Sequence, residues 1–186
     1  MTSFSHPLVF KGMEDLSLRQ IRPEDNDSLA ELIRTVMPEF GASGSGFAIN
    51  DAEVPHMFEA YSSTRAIYFV ISDSKRVLGG GGIAPLAGAD SDTCELRKMY
   101  FLPELRGKGW GKKMLKVCLD SARRMGFRKC YLETLTNMTQ AQSLYQNFGF
   151  ERLCSARGNT GHFGCDRWYE LDLTKKSTGI IEHRTG

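Results

Sequence analysis

The sequence predicts an α/β (or α+β) domain built on one mixed sheet, and three observations point there. Strand-like stretches outnumber helical ones and alternate with them. One segment, Trp110 to Met125, repeats apolar residues at helical spacing through Met114, Leu115, Cys118, Ala122 and Met125. Glycine and proline stand where the pattern changes, as at Pro23, Pro103, Gly126 and Gly149. The chain has 186 residues and no internal repeat or proline-rich linker, so it reads as a single domain over 1–186. The patterned core runs from about 16 to 173, and the tail 174–186 is expected to be loosely held.

Each element follows from its own residues. Leu16 to Ile21 alternates apolar and polar side chains, as a strand does. Pro23 then opens a helix from about Glu24 to Met37, with Leu29, Leu32, Ile33 and Val36 on one face. Phe40 to Asn50 is rich in glycine and serine and reads as a loop lying over something; a short helix is expected over Asp51–Tyr61. Ala66–Ser72 and Arg76–Ile83 read as a hairpin turning at Ser72–Lys75. Gly79 to Gly82, four glycines in a row, should weaken strand packing but admit a close approach to the backbone. Cys94–Phe101 is a further strand, stopped by Pro103, and Lys129–Leu135 is another. Asn137 and Gln140 have capping-box spacing for a helix ending near Asn147. Two last strands, Phe150–Ser155 and Trp168–Leu173, flank a glycine-rich loop over Arg157–Asp166.

Composition excludes several classes. The 24 Lys+Arg against 22 Asp+Glu leave +2, too little for a nucleic-acid binder. The longest apolar run, Ala66 to Ile71, is far short of the roughly 20 residues that span a bilayer. Met1 to Phe10 lacks the basic head and apolar stretch of a secretory signal. Five cysteines without a C-x-x-C pair fit reduced thiols, so a cytoplasmic location is expected. His162 and Cys165 form H-x-x-C with no second close pair, which is poor zinc spacing, so no metal is expected.

The chemistry is carried by LRKMYFLPELRGKGWG, Leu96 to Gly111. A strand stops at a proline, turns, and Arg106-Gly-Lys-Gly-Trp-Gly111 runs into the clearest helix. Glycines at 107, 109 and 111 let backbone N–H groups converge at a positive helix end, a phosphate site with Arg106, Lys108 and Lys112 at its rim. Neither the P-loop nor the dinucleotide spacing fits, because both place Lys112 or Met114 where their last glycine belongs. The spacing that fits is R-x-x-G-x-G, as Arg106, Gly109 and Gly111.

A second motif follows at a fitting distance. Ala141-Gln-Ser-Leu-Tyr-Gln-Asn-Phe-Gly-Phe150 resembles the A-x-x-L-Y-x-x-x-G-F signature of the GNAT N-acetyltransferase family. In element order the resemblance covers Leu16 to Leu173, and it is specific from Glu95 to Phe150. One position differs: Met138 stands seven residues before Tyr145, where relatives often carry Asn, with Asn137 beside it. The resemblance implies a mostly antiparallel sheet splayed into a V and flanked by about four helices. It implies acetyl-CoA as cosubstrate, its pyrophosphate on Arg106, Gly107, Lys108, Gly109, Trp110, Gly111 and Lys112, and its pantetheine arm along Met99, Tyr100 and Phe101, with Asn137 nearby. It implies direct acetyl transfer to an amine, Glu95 as base, Glu133 second to it, the Met99 N–H at the oxyanion and Tyr145 as the acid toward the leaving thiolate.

The chemistry asks for such a base. An alkyl amine of pKa near 10.4 leaves only about one part in 10³ as free nucleophile at pH 7. Acceptor specificity belongs to the loops at Glu39–Tyr61 and Ser155–Asp166, where His162 and Glu133 are candidates for touching substrate. The acceptor is expected to be a small-molecule amine, with a protein acceptor as the other option, and the protein a monomer or homodimer. Two competing readings are a non-catalytic acyl-CoA sensor of the same fold and a small nucleic-acid module, the latter opposed by the net charge.

Overall fold

The apolar stripe of Trp110–Arg124 does form the best helix of the chain, labelled α3, and buries Met114, Leu115, Cys118, Leu119 and Ala122. It ends where Gly126 takes φ +79°, a left-handed turn that lets the Phe127 N–H reach back to the Ala122 carbonyl. A computed structural model describes residues 16–73 and 75–175. From 176 onward the tail expected to be loose lies outside them.

Seven strands make one sheet in the order β1-β2-β3-β4-β5-β7-β6. They are β1 (Ser17–Gln20), β2 (Ile67–Ser72), β3 (Val77–Pro85), β4 (Thr93–Phe101), β5 (Lys129–Thr134), β6 (Glu151–Leu153) and β7 (Arg167–Asp172). Every neighbouring pair is antiparallel except β4–β5, which is parallel. The other helices are α1 (Asn26–Glu39), α2 (Met57–Ala60) and α4 (Thr139–Asn147). The sheet is thus mixed and mostly antiparallel, with four helices among the described residues, as the resemblance implies.

Local departures have local causes. Pro23 opens a short 3-10 turn, Pro23–Asp25, rather than α1 itself. There Asp25 takes a bidentate pair with Arg19 (2.6 and 2.9 Å) and the Arg22 N–H (2.7 Å). The helix expected over Asp51–Tyr61 shrinks to a 3-10 turn, Val54–His56, and the single turn of α2, because Asp51 and Glu53 turn their carboxylates inward. Asn137 does not cap α4: Met138 holds that position, no side chain caps it, and the Asn137 amide donates to the Phe40 carbonyl (3.0 Å). The strand expected over Phe150–Ser155 is only β6, three residues long.

The four glycines of β3 have extended backbone, so the requirement there is for space, not for unusual dihedrals. A Cβ on Gly80 would lie 2.7 Å from the Tyr68 ring, and one on Gly82 2.5 Å from the Ile67 carbonyl oxygen. On the other face, a Cβ on Gly79 would meet Phe101 at 2.5 Å and one on Gly81 would meet Met99 at 2.9 Å. What approaches this backbone closely is therefore its own neighbours, β2 and β4.

Candidate active site

Two strands set the site by parting. β4 pairs with β5 only at Thr93, Cys94 and Glu95, opposite Lys129, Cys130 and Tyr131. Beyond Glu95 the strands diverge, while β5 stays paired with β7 to Thr134. The edge of β4 from Leu96 to Phe101 is left without a strand partner on this side, and of its carbonyls Lys98 and Phe101 are taken by side chains. A groove of about 840 Å³ follows that edge, lined by Met99, Tyr100 and Phe101, by Arg106, Gly107, Gly109, Gly111 and Lys112, and by the start of α4 including Asn137.

At the far end of the groove the glycine turn meets the N-terminus of α3. Gly107 and Gly109 take φ +70° and +80°, and a Cβ on either would stand in open space. Gly109 is the N-cap, and no side chain caps α3, so the first N–H groups of a 15-residue helix are free to meet an anion. Gly111 has another role: a Cβ there would lie 3.2 Å from Leu144, so it lets α3 and α4 approach. Arg106 is anchored by the Phe101 carbonyl (2.9 Å) and Glu39 (2.7 Å), and its buried Nη2 has no hydrogen-bond partner. Lys108 and Trp110 belong to the turn but do not line the groove; Trp110 carries Lys113 over its ring at 4.2 Å.

At the apex of the V a smaller cavity of about 60 Å³ joins the two halves of the site. Met99, Glu133, Tyr145 and Cys165 all line it. Burial pushes the Tyr145 phenol well up, so its proton stays on at neutral pH. Burial also pushes the Cys165 thiol up, to about 12. Glu133 accepts from the Tyr131 hydroxyl (2.7 Å) and from Thr160 (3.1 Å).

Around β4 and the 51–53 segment, six ionisable groups close into a ring. Glu53 meets Lys98 (2.5 Å), Lys98 meets Asp51 (2.6 Å), and Asp51 meets His162 Nε2 (3.1 Å). His162 Nδ1 faces Glu95 (3.9 Å), Glu95 binds Arg97 (2.9 Å), and Arg97 returns to Glu53 (4.0 Å). Burial raises the Glu95 carboxyl; Arg97 and His162 oppose that and do not cancel it. Asp51 is also raised by burial, but His162 and Lys98 outweigh this and hold it below the ordinary carboxylate range.

Two loops pack against each other beside this ring, with the Phe163 ring itself left exposed. Phe163 lies 2.5 Å from where a Gly46 Cβ would stand, Phe47 lies 2.5 Å from the same point on Gly164, and the Gly164 N–H donates to the Gly46 carbonyl (3.1 Å). Both predicted acceptor loops therefore meet beside one site. Glu95 and His162 fall together, and Glu133 stands across the apex from Met99 and Tyr145. Nothing local in the sequence marks Asp51, Glu53, Arg97 and Lys98: they are charges in an expected short helix and in a strand.

The family model described as Acetyltransferase (GNAT) family matches residues 28–150. The chain belongs to the GNAT acetyltransferase family. An uncharacterized N-acetyltransferase of Escherichia coli K12, YjgM, is 43% identical over 150 residues, which is 80% of this chain and 90% of that protein. Among solved structures, a GNAT acetyltransferase of Staphylococcus aureus Mu50 superposes with a TM-score of 0.70 at 18% identity, covering 85% of this chain and 99% of that one. The structure of yncA from Salmonella typhimurium with its cofactor acetyl-CoA matches with a TM-score of 0.70 at 19% identity, over 88% of this chain and 96% of that one. The protein is thus a GNAT N-acetyltransferase with the sheet order and the parted β4–β5 pair described above.

Proposed function

We propose that this enzyme transfers the acetyl group of acetyl-CoA directly to a primary amine, most simply that of a small molecule. One observation carries the reading: a single groove leads from the glycine turn, along the unpaired edge of β4, to Met99 and the cavity that also holds Tyr145. Its residues fit the cosubstrate: free N–H groups and Arg106 suit phosphates, and a bare strand edge suits the amides of a pantetheine arm.

The chain's residues divide the work. The Met99 N–H donates to the oxygen that gains charge as the amine attacks. Glu95, whose carboxyl is raised by burial, takes the amine proton by way of His162 or water; Glu133 on the cavity wall is the competing carboxylate. Tyr145 donates its hydroxyl to the departing sulfur. Cys165, the one cysteine lining the cavity among the described residues, stays a neutral thiol with its pKa near 12, which disfavours an acetyl-cysteine intermediate.

Calorimetric titration with acetyl-CoA, followed by an amine screen with thiol detection, tests the reading. Saturable binding with amine-dependent CoA release is the expected result. Saturable binding without release from any amine would turn the reading to a non-catalytic acyl-CoA sensor.

A further inference from the structure

The register of β3 against β4 slips at one point. Gly82 faces Arg97 and Gly80 faces Tyr100, so Lys98 and Met99 share the space opposite Gly81. This is a β-bulge, and Lys98 absorbs it with φ +49°, the only positive φ of a non-glycine residue among those described. That region favours glycine and strains a lysine, so the surroundings must hold it there.

Two holds are visible. The Tyr68 hydroxyl donates to the Lys98 carbonyl (2.6 Å), and Tyr68 has room because Gly80 and Gly82 lack side chains. The Lys98 side chain is 0% exposed, and its ammonium lies between Asp51 and Glu53. Those carboxylates belong to the segment between the 3-10 turns Ala48–Asn50 and Val54–His56. The bulged residue is thus tied to the acceptor side through its side chain, while its neighbour Met99 lines both the groove and the apex cavity.

We propose that Lys98 is a positioning residue: its clamp by Asp51 and Glu53 holds the bulge that aims the Met99 N–H at the reacting carbonyl. The inference rests on the role given to Met99 above. Its consequence is that ordering of the 51–53 segment by an acceptor also sets the oxyanion donor. A bland alternative is that Lys98 only neutralises two carboxylates, and the two roles respond differently to substitution.

The test compares Lys98→Met/Glu53→Gln with Lys98→Gly/Glu53→Gln. Both remove one cation and one anion together and leave Asp51 its contact with His162. The methionine variant should lose at least about tenfold in kcat, since a 1 Å misplacement can cost about 10²-fold, with KM for acetyl-CoA within about threefold. The glycine variant, which accepts a positive φ without a clamp, should recover part of that kcat. Equal kcat in the two variants, or kcat at the wild-type level in the methionine variant, overturns the proposal. Amide hydrogen exchange is the second readout and needs no substrate: Met99 and residues 51–53 should exchange at least about tenfold faster in the methionine variant. Unchanged exchange also overturns it. Wild-type turnover is measured alongside. Failure of every amine refutes the role of Met99 in transfer and leaves exchange to decide the clamp. Should neither double variant fold, Glu53→Gln alone should lower kcat about threefold at constant KM, and an unchanged kcat overturns the proposal.

Discussion

The two sides of the V are made of different material. The groove side is backbone: an unpaired strand edge, a turn with two left-handed glycines and the uncapped end of α3. The side proposed for the acceptor is side chains: six ionisable groups from β4, from the 51–53 segment and from the loop before β7, closed into a ring. A backbone site is fixed by local conformation, so a short motif encodes it. A side-chain ring is fixed only when distant segments meet. On the proposed reading, the first suits a cosubstrate shared across the fold and the second can be rebuilt for another acceptor.

The contrast can be broken in order of expected effect. The largest effect belongs to Gly109→Val, which forces a β-branched residue to φ +80°. Acetyl-CoA affinity by calorimetry should fall roughly 10²-fold, near the upper end of what about 1–3 kcal/mol of strain can do. Tight binding by this variant would mean that the turn is not the anchor. Next is Glu95→Gln, with a loss of about 10²-fold in kcat at neutral pH. Because burial raises the Glu95 carboxyl above 4.5, wild-type rate should climb with pH through an acid limb lying above the ordinary carboxylate range. That limb should vanish in the glutamine variant; if it persists there and disappears in Glu133→Gln, the base is Glu133.

Tyr145→Phe should cost less. A phenol held above its usual range by burial is a reluctant acid, so its help is closer to one hydrogen bond, about 1 kcal/mol or roughly fivefold in kcat. A loss far beyond that in single-turnover assays would mean full proton transfer from the tyrosine. The smallest effect on function, none, is expected at Asp25→Asn, remote from both sides. Burial pushes the Asp25 carboxyl up, but Arg19 and the Arg22 N–H outweigh it and hold it below 3.8. Its stabilisation is present above that value and fades as pH falls through the lowered native one. Denaturant unfolding at pH 7 should show about 1–2 kcal/mol lost, and little difference from wild type at the acid end.

Most of the fold and the groove were legible because their signals are local. α3 announced itself by its stripe, and the turn by Gly107, Gly109 and Gly111 leading into it. The end of α4 was marked by Gly149 as well. The start of α4 misled: Asn137 and Gln140 have capping-box spacing, but the Phe40 carbonyl, 97 residues away, takes the asparagine amide instead. Lys98 was illegible for a related reason. In the sequence it is the second of two adjacent charges in a strand, and only the slip opposite Gly81 turns it toward Asp51 and Glu53.

The glycine run of β3 bears on how tolerant the chain is of change. At all four positions a Cβ would come closer than 3.0 Å to a neighbouring atom, and at Gly82 that atom is backbone. In a saturation scan scored by activity, 79–82 should therefore be as depleted of variants as the glycine turn or Tyr145. Glycines 80 and 82 give Tyr68 its place, and Tyr68 holds the Lys98 carbonyl beside Met99. Such a scan would assign catalytic weight to a stretch that lines neither the groove nor the apex cavity. The two kinds of intolerance separate when abundance is scored with activity: substitutions at 79–82 should lower both, and Tyr145→Phe only the second.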